Sequence, residues 1–197
     1  ARKEIAQALG IPQAMVRVIT GYVGGNFGGK GGLKPEAIAI ALAHKVRGRP
    51  VKVVFSREEV FKTVTRSGCI IYLKTGVRRD GTLLARQVRL IWDTGAYAEK
   101  GPIISLSGAK LSTGPYVIPN VQVESFTVFT NKPMAGAMRG YGLPQVAFAH
   151  ESQMDIIAEK LGMDPLALRM KNVVTEGSKA VTGQRLYSVG LKECLEQ

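Results

Sequence analysis

Apolar positions along this 197-residue chain alternate between two repeats, and the switches mark its elements. From Pro144, steps of three and four residues through Val146, Phe148, Ala149, Met154, Ile157, Ala158 and Leu161 predict a long helix that Gly162 ends. Asp164-Pro165 then caps a shorter helix through Leu166, Leu168 and Met170, with Pro in the first helical position. Near the amino end, Ile5, Ala8 and Leu9 predict a helix over Arg2 to Leu9, stopped at Gly10. Lys34-Pro35-Glu36 opens another, with Ile38, Ile40, Ala41, Leu42 and Ala43 as its body and an end near Arg47-Gly48. Ser56-Arg57-Glu58-Glu59 has the form of a capping box, and Leu191 to Gln197 reads as a helix beginning.

The second repeat is short and β-branched. Met15 to Thr20 and Val51 to Phe55 are predicted strands, as are Cys69 to Val77, Thr82 to Trp92 and Val121 to Thr130. Asp80-Gly81 between the third and fourth of these is the strongest hairpin signal in the chain. The Gly- and Ser-containing stretch from Asp93 to Gly114-Pro115 is assigned no element, and Val173 to Arg185 is read as a loop. Strands and helices mix without a regular βαβ rhythm. The fold class is therefore α+β, with mixed sheets, an antiparallel hairpin and packed helices. Residues 1–197 are read as one domain fragment, with a sub-boundary placed, if anywhere, near 131–143.

Composition narrows the class but does not name a chemistry. Hydrophobic residues make up 45% and charged residues 21%, ordinary for a globular protein. Cys69 and Cys194 are too few and too far apart for a disulfide framework or a thiolate metal site, and suit a reduced, cytoplasmic protein. Lys and Arg number 27 against 15 acids, a net charge of +12. The basic residues are spread along the chain and not interleaved with aromatics, so a solvated surface is the first reading. A face for an acidic partner subunit comes second and nucleic acid last. The helix-like openings at both ends read as the edges of a fragment of a longer or split polypeptide.

Two glycine-rich segments carry the candidate chemistry: Gly24-Gly25-Asn26-Phe27-Gly28-Gly29-Lys30 and Ala137-Met138-Arg139-Gly140-Tyr141-Gly142-Leu143-Pro144-Gln145. Each sets a bulky residue or an arginine among glycines, the composition expected where backbone closely approaches a ligand. The first lies between a predicted strand and a predicted helix, where main-chain N–H groups cradle phosphate. It is not a P-loop, because Lys30 is followed by Gly31, and Phe27 breaks the dinucleotide spacing. A plain glycine turn is the alternative. Arg139 reads as a bidentate anion clamp or as a surface residue, and Tyr141 as a pocket wall or as core. His44 and His150 have no metal-ligand partner at a suitable spacing, and no Ser-His-Asp or Cys-His arrangement is present.

At these two segments the chain resembles the molybdenum hydroxylases, the xanthine dehydrogenase and aldehyde oxidase family, in their large molybdopterin-binding subunit. The family's first signature is three glycines, Phe, two glycines and Lys, which Gly24 to Lys30 matches except at Asn26. The second is Arg-Gly, an aromatic, Gly and then Pro-Gln, which Arg139 to Gln145 matches. Collinear similarity extends over Val51 to Glu59, Asp80-Gly81, Asp93 to Tyr97, Tyr116 to Val121 and Asp164 to Asn172.

The resemblance implies a molybdenum–molybdopterin cofactor, as the pterin or its dinucleotide, with the metal held by the pterin and by no protein atom. It implies cofactor contacts at Gly25, Asn26, Phe27, Gly28, Arg139 and Gly140, a catalytic part for Arg139, and substrate contacts at Tyr141 and Ala137. The implied reaction hydroxylates an aldehyde or N-heterocycle with water-derived oxygen. Its electrons pass to iron–sulfur clusters and flavin on other segments or subunits. The family's catalytic glutamate is expected well beyond Gln197, which would leave the isolated chain inactive. Two departures bear on substrate: Gly31 stands where purine-oxidising members place a glutamate, and Ser107 where they place an arginine. The competing class is a non-catalytic basic assembly module whose glycine loops are only structural.

Overall fold

The computed structural model describes all 197 residues, which form two compact units, Ala1–Arg66 with Ala137–Arg139, and Ser67–Gly136 with Gly140–Gln197. In the first unit, α1 (Arg2–Leu9) ends as predicted at Gly10, whose φ of 64° lets its N–H turn back to the Gln7 carbonyl. Helix α2 (Pro35–Lys45) starts on its proline. Helix α3 (Arg57–Thr63) has the full capping box: Glu59 N–H donates to Ser56 Oγ and Ser56 N–H to Glu59 Oε2. The two-residue strand β1 (Thr65–Arg66) follows.

Two predicted strands of this unit are not strands. Met15 falls in a single 3₁₀ turn, Gln13–Met15, and neither the residues after it nor Val51–Phe55 join a ladder. β-branched residues favour an extended backbone, but a strand exists only when its N–H and C=O groups are paired, and no strand of this chain pairs with either segment. Ile5 and Ala6 are the only fully buried apolar side chains of this unit.

The second unit carries the core. Strand β2 (Cys69–Val77) runs antiparallel to β3 (Leu83–Asp93), which runs parallel to β4 (Asn120–Val128). The Asp80-Gly81 turn is realised: Gly81 has φ 84°, its N–H reaches the Arg78 carbonyl, and Arg78 N–H bonds the Thr82 carbonyl. A parallel pair needs a long crossover, and α4 (Gly101–Leu111) supplies it in the stretch to which the sequence assigned no element. Packing explains why propensity misses α4. Gly108 lies against the Trp92 ring, where a Cβ would collide, and Gly101 against Thr94 in the same way. Trp92 Nε1 donates to Ser125 Oγ, which also meets Ser105 Oγ of α4 at 2.7 Å.

The short strand β5 (Ala135–Gly136) is buried and leads to α5 (Leu143–Leu161), capped by left-handed Gly162. Asp164 Oδ2 then accepts from Ala167 N–H at the start of α6 (Pro165–Asn172), and α7 (Leu191–Glu196) closes the chain. Val88, Leu90 and Trp92 on the inner face of β3 pack with Ile104 of α4 and Val146 of α5. A second cluster joins Leu83, Tyr116, Ile118, Met154, Ala158 and Leu168.

Buried Asn172 ties that cluster to the hairpin. Its Oδ1 accepts from Leu83 N–H at 3.0 Å, and its Nδ2 donates to the Gly81 and Leu168 carbonyls, each at 2.9 Å. An Asn172→Ala chain leaves these main-chain groups buried without partners, so a loss of about 3 kcal/mol is expected in chemical unfolding. A loss below about 1 kcal/mol would show that water or a backbone shift takes over the side chain's bonds.

Candidate functional site

The glycine loop of the first unit is organised by two of its own polar side chains. Asn26 Oδ1 accepts from Lys30 N–H at 2.8 Å and from Gly28 N–H at 3.3 Å, and the Asn26 carbonyl accepts from Gly29 N–H. The Lys34 ammonium gathers the carbonyls: Gly31 at 2.8 Å, Gly29 at 3.1 Å and Gly28 at 3.5 Å. A cavity of about 300 Å³ lies alongside, lined by Gly29, Lys30, Gly32, Val53, Phe55 and Val60 among others.

The left-handed position in this loop is Phe27, with φ 48°, not the asparagine beside it. Such a conformation is uncommon for a residue with a Cβ, and for an aromatic one it needs support from its surroundings. That support comes from the second loop, whose residues Ala137–Arg139 belong to the same compact unit. Arg139 N–H donates to the Phe27 carbonyl at 2.9 Å, and the Arg139 guanidinium carbon lies 5.4 Å from the centre of the Phe27 ring. Gly28, φ 103°, presses on the Ala137 carbonyl so closely that a Cβ there would collide with it. Arg66 Nη2 donates to the Arg139 carbonyl at 2.7 Å.

The arrangement leaves a group of donors free. The N–H groups of Gly24, Gly25, Asn26 and Phe27 meet no acceptor of the protein, and the Arg139 guanidinium forms neither a hydrogen bond nor an ion pair. Phe27 itself is 63% exposed. Gly25 is hemmed in by the Phe27 ring, so a side chain there would displace it. Main-chain N–H groups and a guanidinium are the chemistry that can take an oxygen-rich anion, with an aromatic face beside them.

Gly140 and Tyr141 lie in the second unit. Leu143 N–H closes a turn onto the Gly140 carbonyl at 2.9 Å, and Tyr141 inside it is left-handed, φ 47°. Half-buried, Tyr141 packs against the cluster of Val88, Leu90, Trp92, Ile104 and Val146. Both aromatics of the two motifs thus take the same unusual backbone conformation, a feature with no sequence signal.

The remaining candidates are structural. His150 is buried, its Nδ1 3.1 Å from Glu151 Oε1 but out of line for a hydrogen bond, and burial lowers its pKa. Glu151 is taken up by the Tyr116 hydroxyl at 2.8 Å and Arg169 Nε at 2.9 Å; Arg169 also pairs with Asp155. His44 is exposed, and burial pushes the Cys69 thiol up to about 12. No group of three or more His, Cys, Asp or Glu side chains is placed to hold a metal. No helix is long and apolar enough to cross a membrane. Sequence reasoning did not single out Lys34 or Arg66: each acts on backbone carbonyls, which leave no pattern in the residues around them.

Comparison with known proteins adds a family. Residues 1–173 match the family model described as a molybdopterin cofactor-binding domain. The chain is 44% identical over 198 residues to the nicotinate dehydrogenase large molybdopterin subunit of Eubacterium barkeri, covering all of this chain and 46% of that one. It is 46% identical over 198 residues to the putative xanthine dehydrogenase molybdenum-binding subunit of Escherichia coli, covering all of this chain and 26% of that protein. The solved aldehyde oxidoreductase from Desulfovibrio gigas matches at a TM-score of 0.91 and 37% identity, over 100% of this chain and 22% of that one. Quinoline 2-oxidoreductase from Pseudomonas putida matches at a TM-score of 0.83 and 30% identity, over 99% and 26%. The chain therefore spans less than half the length of these relatives.

Lys34→Met removes the charge that gathers three loop carbonyls. Opening of the loop should rise about tenfold, the equivalent of one charged hydrogen bond's net worth of about 1.5 kcal/mol. Chymotryptic cleavage at Phe27 under native conditions reads this directly. An unchanged cleavage rate would mean that Asn26 alone organises the loop.

Proposed function

Because the chain belongs to the molybdopterin cofactor-binding domain family, we propose that it forms one wall of the cofactor site in a molybdenum hydroxylase acting on an aldehyde or an N-heterocycle. The observation that carries this reading is the set of free N–H groups of Gly25, Asn26 and Phe27 beside the unpaired Arg139 guanidinium. These residues fit the pterin-borne group, which is anionic and rich in oxygen.

When bound, the group supplies the two-electron oxidation of substrate and the delivery of water-derived oxygen. The chain's own residues hold and orient. Gly28 lets the two loops touch, the Phe27 main chain offers an N–H toward the group, and the Phe27 ring shields the Arg139 side chain on one face. Arg139 gives fixed donors and a permanent charge where negative charge gathers on oxygen. By the family resemblance alone, Gly140 is assigned a cofactor contact, and Ala137 and Tyr141 are assigned substrate contacts.

The partners that complete the enzyme are the remaining molybdopterin-binding segments and iron–sulfur and flavin subunits or domains. Subunit names among the relatives support such an assembly. Two free cysteines, Cys69 and Cys194, suit a reducing compartment, the cytoplasm.

Arg139→Lys keeps the charge and loses the planar fork. In the intact enzyme it should lower turnover about tenfold, or 1.4 kcal/mol, with molybdenum and pterin content unchanged by elemental and fluorescence analysis. Wild-type turnover in that variant would return Arg139 to the surface.

Gly31 and Ser107 leave the substrate side without the charged groups that hold a purine, so an aldehyde or a pyridine-type ring should be oxidised faster than xanthine. A steady-state screen of the three classes decides this, and a preference for xanthine would overturn the assignment of those two positions.

A further inference from the structure

Arg139 is aimed by its backbone, since its side chain has no acceptor of its own in the chain. Both polar atoms of that backbone are held. The N–H is fixed on the Phe27 carbonyl at 2.9 Å, and the carbonyl is fixed by Arg66 Nη2 at 2.7 Å, across 73 residues of sequence. We infer that Arg66 is a positioning residue for Arg139, gripping the arginine loop from its main-chain side; this inference rests on the cofactor-site reading above.

Three features support it. A peptide group is planar and trans, so fixing the Arg139 carbonyl also fixes the plane of the 139–140 peptide and the course of the chain away from Arg139. The donor is charged and the bond short, which makes it the stronger of the two holds. Arg66 also forms no ion pair, so its charge is not cancelled locally and adds to that of Arg139 beside the free N–H groups. A lysine at 66 could reach the carbonyl with one N–H but would lack the rigid fork that sets the angle.

Hydrogen exchange at the Arg139 amide, measured on the holoenzyme and again after cofactor removal, tests the hold itself. Arg66→Gln should speed that exchange about tenfold, and Arg66→Lys by less, while amides of the β2–β3 hairpin keep their wild-type rates. In turnover, Arg66→Gln should lower kcat about tenfold with KM and molybdenum content within about twofold of wild type. In an Arg139→Lys background the same change should cost less than about twofold, because Arg66 acts only through Arg139. Unchanged exchange at Arg139, or a full additional loss in the double variant, would overturn the inference. Faster exchange with turnover untouched in both single variants would instead sink the role given to Arg139 and leave the hold standing. If Arg66→Gln does not fold, Arg66→Lys carries the same comparisons.

Discussion

The hydrogen bond from Arg139 N–H to the Phe27 carbonyl is the joint on which the rest of the candidate site depends. To make it, the two loops approach until Gly28 touches the Ala137 carbonyl, which excludes any side chain at position 28. To present its carbonyl there, Phe27 adopts φ 48°, a conformation that costs on the order of 1–3 kcal/mol for a residue with a Cβ. Neighbouring bonds offset that cost. Asn26 satisfies N–H groups on one side of the loop, Lys34 draws carbonyls to the other, and Arg66 holds the far end of the joint. A loop with this many internal bonds is set before a ligand arrives, so binding loses little further entropy in ordering it.

Tyr141 is strained in the same way but supported differently. Its turn rests on a packed cluster of β3, α4 and α5 residues, and Gly142 lies so close to the Ile104 carbonyl that a Cβ would come within 2.9 Å of it. Here the hydrophobic core, and not a set of charged hydrogen bonds, fixes the backbone. Two adjacent segments of one motif are therefore held by two kinds of force.

The parts of the structure legible in the sequence are those set by residues near each other along the chain. The Ser56–Glu59 capping box, the Asp80-Gly81 turn, the Asp164-Pro165 start and the Gly10 and Gly162 ends are all local chemistry, and all are present. What depends on distant partners was not legible. Helix α4 forms because Gly108 fits under Trp92, and nothing in its glycine- and serine-bearing sequence says so. Val51–Phe55 has the residues of a strand and no strand to pair with. At the site, the glycines and Arg139 stood out by composition, whereas Arg66 is one basic residue among many until its partner 73 positions away is known.

That last case bears on how the charge of +12 is to be read. Taken as a sum, it suggests a polyanion partner, yet at physiological salt charges more than about 8 Å apart are largely screened, so the total says little about any one place. Pairing says more. Arg169 is committed to Glu151 and Asp155, Lys132 to Asp93, and Lys171 to Asp80. Arg86 is buried, with its guanidinium on Thr75 and Thr113. Like most of the other basic side chains, Arg66 and Arg139 have no carboxylate partner; Arg66 is spent on the Arg139 carbonyl, and the Arg139 guanidinium lies over Phe27, whose N–H also lacks an acceptor. Donors without acceptors would be unfavourable if buried; on an exposed surface they are hydrated and remain available to an anion. What separates this loop pair from the rest of a basic surface is thus not the want of a carboxylate, which most of the basic side chains share, but that an unpaired guanidinium stands over Phe27 beside main-chain N–H groups that also lack an acceptor.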